Sequence, residues 1–128
     1  MNECEEQTRQ AAAKPGVAAE LILLRHAPVA TPGQLCGRSD PSAALVAADI
    51  ARLRAALPLP GRVVTSPARR CRQTAAALWP AQAAQPDARL WEQDFGAHEG
   101  LPYDALPDLG PMSGADLAQY TPSGGESF

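Results

Sequence analysis

Arg25 and His26 stand directly behind the apolar run Leu21-Ile22-Leu23-Leu24. An imidazole beside a guanidinium offers a nucleophile next to a clamp for anionic oxygens. Two later segments repeat this pattern of a short apolar run ending in reactive side chains. Arg62-Val63-Val64-Thr65 leads into Ser66-Pro67-Ala68-Arg69-Arg70, and Arg89-Leu90-Trp91 leads into Glu92. In open parallel sheets, ligands bind beyond the carboxyl ends of the strands. Three neighbouring parallel strands would bring histidine, arginine and glutamate to one rim, a set suited to phosphoryl transfer.

Each residue type has a definite task in such chemistry. His26 would attack phosphorus through one ring nitrogen, while the other nitrogen needs a hydrogen-bond acceptor that fixes the tautomer. A histidine that merely caps a strand is the competing reading, and the adjacent Arg25 favours chemistry. Arg25 and Arg70 would hold the phosphoryl oxygens and offset transition-state charge. Arg70 falls in the first turn of a helix, whose free N–H groups add to an anion site. Arg69 and Arg72 read as solvated or salt-bridged helix residues. Glu92 would protonate the leaving oxygen and then deprotonate water, with Asp94 and Glu99 as rivals in sequence. His98 lies in a Gly96-to-Gly100 turn, where a surface or packing role outweighs a catalytic one.

The elements that must position these residues are legible from periodicity and punctuation. Strands are expected over about 20–24, 62–65 and 89–91, the first covered on both faces because it is continuously apolar. Pro28, Pro32, Gly33, Gly37 and Pro41 impose a loop after the first. A helix capped by Ser42 and ending near Leu57 carries a stripe of Val46, Ile50, Leu53 and Leu57. A second helix takes Ser66 as N-cap and Pro67 at its first position, with Cys71, Ala75 and Leu78 on its inner face. Alternating strands and helices give an α/β architecture with a parallel sheet. Beyond Gly100, prolines and glycines crowd a stretch that reads as a lid or substrate loop, or as an unsupported tail.

Composition bounds the rest. The 128 residues, 45% hydrophobic and 20% charged, suit one globular domain preceded by a flexible extension over 1–19. A net charge of −3 argues against general attraction to nucleic acid or anionic membrane. Lys14 is the only lysine, so the cationic side chains are nearly all of the type that binds phosphate bidentately. Cys4, Cys36 and Cys71 are widely spaced, which disfavours a zinc site and fits reduced thiols in the cytoplasm. No stretch reaches membrane-spanning length.

Four segments together resemble a known family. "LILLRHAP" is similar to the R-H-G signature of the histidine phosphatase superfamily, the phosphoglycerate-mutase-like fold. "TSPARRCRQTAAAL" resembles its S-P-x-x-R-x-x-Q-T-A segment, "LWEQDFGAHEG" its L-x-E-x-x-F-G-x-W-E-G segment, and "TPSGGESF" its P-x-G-G-E-S segment. All four stand in family order across residues 21–128. The resemblance implies a three-layer α/β fold with a mostly parallel sheet. It also implies phosphomonoester hydrolysis through a phosphohistidine on His26, with phosphate bound by Arg25 and Arg70 and Glu92 as proton donor. No metal or cofactor is implied, and the partner is a small phosphorylated metabolite.

Departures from the pattern carry information too. Ala27 replaces the usual glycine, and His98 stands at the tryptophan position. "CGRSD" is closer to α-ribazole-phosphatase-like members, which implies a cobalamin-pathway substrate and a role for Arg38 in its pocket. On residue type alone, Arg38 is an exposed loop arginine. The family continues past G-G-E-S with a helix, a strand and a second histidine in an H-G motif. The chain is therefore expected to be an incomplete domain over 20–128, truncated before that histidine and weakly active or inactive. Losing one preorganised donor costs on the order of a hundred- to thousandfold in rate. A phosphoglycerate-mutase-type phosphotransferase, a non-catalytic phosphate-binding module, and a fragment that folds only with a separate C-terminal partner are the alternatives.

Overall fold

Val64 and Thr65 form strand β1 and pair in parallel with β2, Gln85–Pro86, in the register Val64↔Gln85 and Thr65↔Pro86. The computed structural model describes residues 18–128. The extension expected over residues 1–19 lies outside them as far as residue 17. Helix α1 spans Ala47–Ala56, α2 spans Arg69–Leu78 and α3 spans Gly114–Gln119. Helix α2 joins the layers, packing on β1 and on α1, so the α/β architecture with a parallel sheet is realised.

Two of the three expected strands are not where periodicity put them. Residues 20–24 are not in a strand, and Leu21 and Leu23 are 81% and 85% exposed. A strand is stable only when a neighbour takes its N–H and C=O groups, and β1 is paired only with β2 among the described residues. The run over 89–91 is also not a strand. The Asp87 carboxylate accepts from the Arg89 N–H at 3.0 Å and turns Ala88–Leu90 into a 3-10 helix. The strand is the segment just before it, Gln85–Pro86.

Helix starts differ for a related reason. The Ser42 carbonyl accepts from Ala30 N–H at 2.8 Å, part of an antiparallel bridge between Val29 and Ala43, so α1 begins only at Ala47. Of its expected stripe, Ile50, Leu53 and Leu57 are half-buried and Val46 is exposed. Helix α2 begins at Arg69 rather than Pro67. Its first N–H is taken by the Asp40 carboxylate at 2.6 Å, while the Ser66 hydroxyl accepts from Ala68 N–H at 3.2 Å. At the other end, Arg54 of α1 donates to the carbonyls of Leu78, at 2.8 Å, and Ala77. A cation on the last carbonyls of a helix satisfies orphan acceptors and complements the dipole.

The segment after Gly100 is neither an unsupported tail nor structureless. It holds a 3-10 turn, Tyr103–Ala105, and α3, where the Ser113 hydroxyl accepts from Asp116 N–H at 3.1 Å. Gly100 N–H donates to Leu35 and Tyr103 N–H to Gly33, which ties this segment to the first loop. Ser123–Glu126 lies against the turn at Asp94–Ala97, with Ala97 N–H on the Ser123 carbonyl and Glu126 N–H on the Asp94 carbonyl, both 2.8 Å. Gly96 has φ +54, and a Cβ there would collide with Ser123 and Gly125 backbone atoms. Only glycine allows that approach.

Glu99 ties these loops together. Its carboxylate accepts from the N–H groups of Gly37 (3.0 Å), Arg38 (2.7 Å), Ser39 (3.1 Å) and Phe95 (3.0 Å). Burial pushes its pKa up, but the four N–H donors outweigh that and hold the carboxyl below the usual glutamate range.

Two outcomes follow from this packing. Ala68, Ala75 and Leu78 are the buried hydrophobic side chains among the described residues, and Leu78 is 1% exposed. Leu78→Ala should cost about 2–5 kcal/mol, read from the urea midpoint, because Leu78 is the one large side chain fully buried among the described residues. The depressed Glu99 contributes stability that is complete above the ordinary glutamate pKa of about 4.3 and disappears as pH falls through its lower folded value. Glu99→Gln should flatten the acid limb of a stability-against-pH curve; an unchanged limb would show that the four N–H bonds contribute nothing net.

Candidate active site

The first turn of α2 projects a guanidinium toward an imidazole. Arg70 is 2% exposed, and its Nε donates to His26 Nε2 at 3.2 Å. His26 Nδ1 lies 2.7 Å from the Ala27 carbonyl. A carbonyl only accepts, so the proton sits on Nδ1 and the lone pair on Nε2, facing Arg70. That is the tautomer a nitrogen nucleophile requires. The remaining Arg70 donors reach the Gly37 carbonyl at 3.4 Å from both Nη1 and Nη2, and the Cys36 carbonyl at 3.5 Å from Nη2.

One face of α2 builds the rest of this corner. Thr74, one turn beyond Arg70, accepts from Ala27 N–H at 2.9 Å through its hydroxyl and donates to the Arg70 carbonyl at 2.7 Å. Gln73 accepts from Ala43 N–H at 2.8 Å. Positions separated by three and four residues share a helix face, so one short helix fixes the His26 ring, its flanking peptide and the returning loop. Gln73 and Thr74 stood in the quoted S-P-x-x-R-x-x-Q-T-A segment, and the spacing to Arg70 was the signal for their role. Asp40, which caps α2 from a left-handed backbone at φ 55, carried no such signal.

Among the described residues no hydrogen bond or ion pair joins the other sequence candidates, Arg25, Arg38 and Glu92, to His26 or Arg70. Arg25 is exposed and its side chain makes no hydrogen bond among the described residues. Arg38 Nε donates to the Glu92 carbonyl at 2.9 Å, its Nη2 lies 3.5 Å from Glu126, and its guanidinium stacks 5.1 Å over the Trp91 ring. Arg38 is thus an exposed loop arginine, with its guanidinium against the segment that carries Glu92. The Glu92 side chain is exposed, and its charge, with those of Arg70 and Asp40, acts on the Cys71 thiol at the start of α2. Burial pushes that thiol up more strongly than Arg70 pulls it down, so it stays protonated and unreactive.

The rivals of Glu92 are otherwise occupied. The Glu99 carboxylate is saturated by its four N–H donors and held ionised, which removes it as a proton donor. Asp94 accepts from Gly96 N–H at 2.8 Å within its own turn. His98 stacks on Tyr120 with ring centroids 6.2 Å apart, the packing role expected for it. A cavity of about 520 Å³ lies beside that stack, lined by Leu35, Phe95, Leu106, Leu117 and Phe128 among others. None of Arg25, His26, Arg38, Arg70 or Glu92 lines it. Among the described residues no group of three His, Cys, Asp or Glu side chains could hold a metal ion, and no helix is long and apolar enough to cross a membrane.

The fold has relatives among solved structures. The protein TTHB049 from Thermus thermophilus matches with a TM-score of 0.64 at 28% identity, over 80% of this chain and 61% of its own. A mycobacterial glucosyl-3-phosphoglycerate phosphatase matches with a TM-score of 0.59 at 26% identity, over 80% of this chain and 53% of its own. The chain thus spans little more than half to three-fifths of the length of these structures. No curated protein matches it. The family model of the histidine phosphatase superfamily (branch 1) matches residues 21–128, and with Arg70 on His26 Nε2 in the same span, the chain belongs to that superfamily.

Proposed function

We propose that the chain carries the phosphate-binding and nucleophilic groups of a phosphomonoester hydrolase that works through a phosphohistidine on His26. The observation that carries this reading is the 3.2 Å contact between Arg70 Nε and a lone-pair-bearing His26 Nε2, with Nδ1 tied to the Ala27 carbonyl. An anion drawn to Arg70 meets the one ring nitrogen able to attack it. As the phosphoryl group arrives, the Arg70 Nε–H passes from His26 Nε2 to a phosphoryl oxygen, and the freed lone pair bonds to phosphorus while the ester oxygen leaves, taking a proton from Glu92. Water then attacks phosphorus, Glu92 takes back a proton, and the N–P bond breaks to release phosphate and free His26. Arg70, Arg25 and Arg38 neutralise the phosphoryl oxygens through both steps. No metal or cofactor takes part.

For the substrate we propose a small phosphorylated metabolite of the cytoplasm, not a nucleic acid or a membrane lipid. α-Ribazole 5′-phosphate is the first compound to test, supported by the "CGRSD" loop, where Arg38 is held beside Glu92. A sugar phosphate is the next, because a phosphatase of glucosyl-3-phosphoglycerate shares the fold. A phosphoglycerate-mutase-type transferase would use the same His26 and Arg70 and differ in passing the phosphoryl group back to substrate.

A single-turnover experiment with ³²P-labelled α-ribazole 5′-phosphate separates these readings, since it detects a phosphoenzyme even where turnover is slow. Acid-labile label should appear on the wild-type chain and vanish in His26→Ala. Arg70→Ala should slow labelling on the order of a hundredfold or more. Phosphate bound with no label formed would identify a non-catalytic binding module. Label that passes to phosphoglycerate rather than to water would identify the transferase.

A further inference from the structure

Arg70 presents an unusual electrostatic situation. An arginine only 2% exposed normally sits against a carboxylate, yet no salt bridge reaches Arg70 among the described residues. Its Nη donors meet only two backbone carbonyls, those of Cys36 and Gly37. Each carbonyl belongs to a peptide plane whose N–H has another partner. The Cys36 carbonyl shares its plane with the Gly37 N–H, and the Gly37 carbonyl shares its plane with the Arg38 N–H. Both N–H groups donate to Glu99, at 3.0 Å and 2.7 Å.

We propose that Glu99 is the positioning residue of the phosphate site, aiming Arg70 at His26 through the two intervening peptide planes. This inference rests on the reading that the His26–Arg70 corner is the site of phosphoryl transfer. A trans peptide is rigid and planar, with N–H and C=O pointing opposite ways. Fixing both N–H groups on one carboxylate therefore fixes both carbonyls on the far side, where Arg70 lies. The carboxylate also polarises the two amides, strengthening their carbonyls as acceptors for a cation. Glu99 thus offsets the buried guanidinium without neutralising it by contact. The guanidinium stays free to meet a phosphoryl group at His26, which a directly paired arginine would not be.

Gly37 is what lets the relay close. It is buried, and a Cβ on it would strike the Gln93 carbonyl, Glu99 Oε1 at 2.5 Å and the Phe95 ring at 2.8 Å. No side chain fits between the turn and the carboxylate. The fourth bond, from Phe95 N–H at 3.0 Å, anchors the carboxylate to its own turn, so the relay is held from both ends.

The test uses the whole chain and the Glu99→Gln and Glu99→Asp variants, with Asp87→Asn as a control. Asp87 pairs with Arg89 on the surface and takes no part in the relay. In ¹⁵N NMR spectra, Glu99→Gln should move the His26 Nε2 and Arg70 Nε resonances, although Glu99 touches neither side chain. Asp87→Asn should leave both in place. Inorganic phosphate should bind on the order of tenfold more weakly to Glu99→Gln, the loss expected for one misdirected charged donor. Glu99→Asp keeps the charge and should recover part of both signals. If Glu99→Gln unfolds, Glu99→Asp still decides, because its shortened stem should displace the same two resonances by a smaller amount. Unmoved His26 and Arg70 resonances with wild-type phosphate affinity, in whichever of the two variants folds, would overturn the proposal. The NMR readout needs no turnover, so absence of a phosphoenzyme would sink the hydrolase reading and leave the relay to stand or fall on its own.

Discussion

A buried guanidinium with no carboxylate partner among the described residues is the constraint around which this molecule is arranged. Burial strengthens the attraction of Arg70 for a phosphoryl group, because the local dielectric is low. Burial also makes the unpaired charge costly, so its donors have to be met without supplying a full counter-charge. Carbonyls of Cys36 and Gly37 meet that demand, as does the unprotonated nitrogen of His26. Three weak or neutral acceptors keep the cation in place and leave it electrostatically unspent.

Helix α2 is the mechanical centre that makes this possible. Arg70, Thr74 and Leu78, four residues apart, share its buried face, with Gln73 and Ala75 on the two flanks. Polar side chains on that face hold the loops, since Thr74 fixes the peptide after His26 and Gln73 fixes Ala43. Both ends of the helix are closed by distant residues, Asp40 at the first N–H and Arg54 at the last carbonyls. The His26–Arg70 corner is therefore as stable as the caps and the small apolar contact beneath it.

The loops are joined by backbone contacts that only glycine permits. Gly37 lies flat against Gln93 and Glu99, and Gly96 and Gly125 bring two turns together near Asp94. These contacts carry the chain from Glu92 to Phe128 back toward the first loop. They also explain why a stretch rich in proline and glycine is ordered. Its hydrogen bonds run to other loops rather than within one element.

What could be read from the residues in order was the family, the candidate residues and the helix that carries Arg70. Arg25-His26, the spacing from Ser66 to Arg70 and the position of Glu92 marked the candidates, and folding brought His26 and Arg70 into contact. The α/β class followed from alternating apolar runs. Two of the three strand positions did not, because a strand depends on its neighbour. Leu21–Leu24 has the composition of a buried strand and lies exposed, while Gln85–Pro86 lacks that composition and pairs with β1. Helix starts moved for the same reason, since Ser42 was claimed by a bridge and Asp40 arrived from another loop. Glu99 shows the limit most clearly. Its sequence neighbours made it one more acid beside Glu92, and only folding could give it four N–H donors from two separate turns. Residue types set which reactions were available, and three-dimensional hydrogen bonding between segments far apart in the chain decided which acid stays ionised and where the guanidinium points.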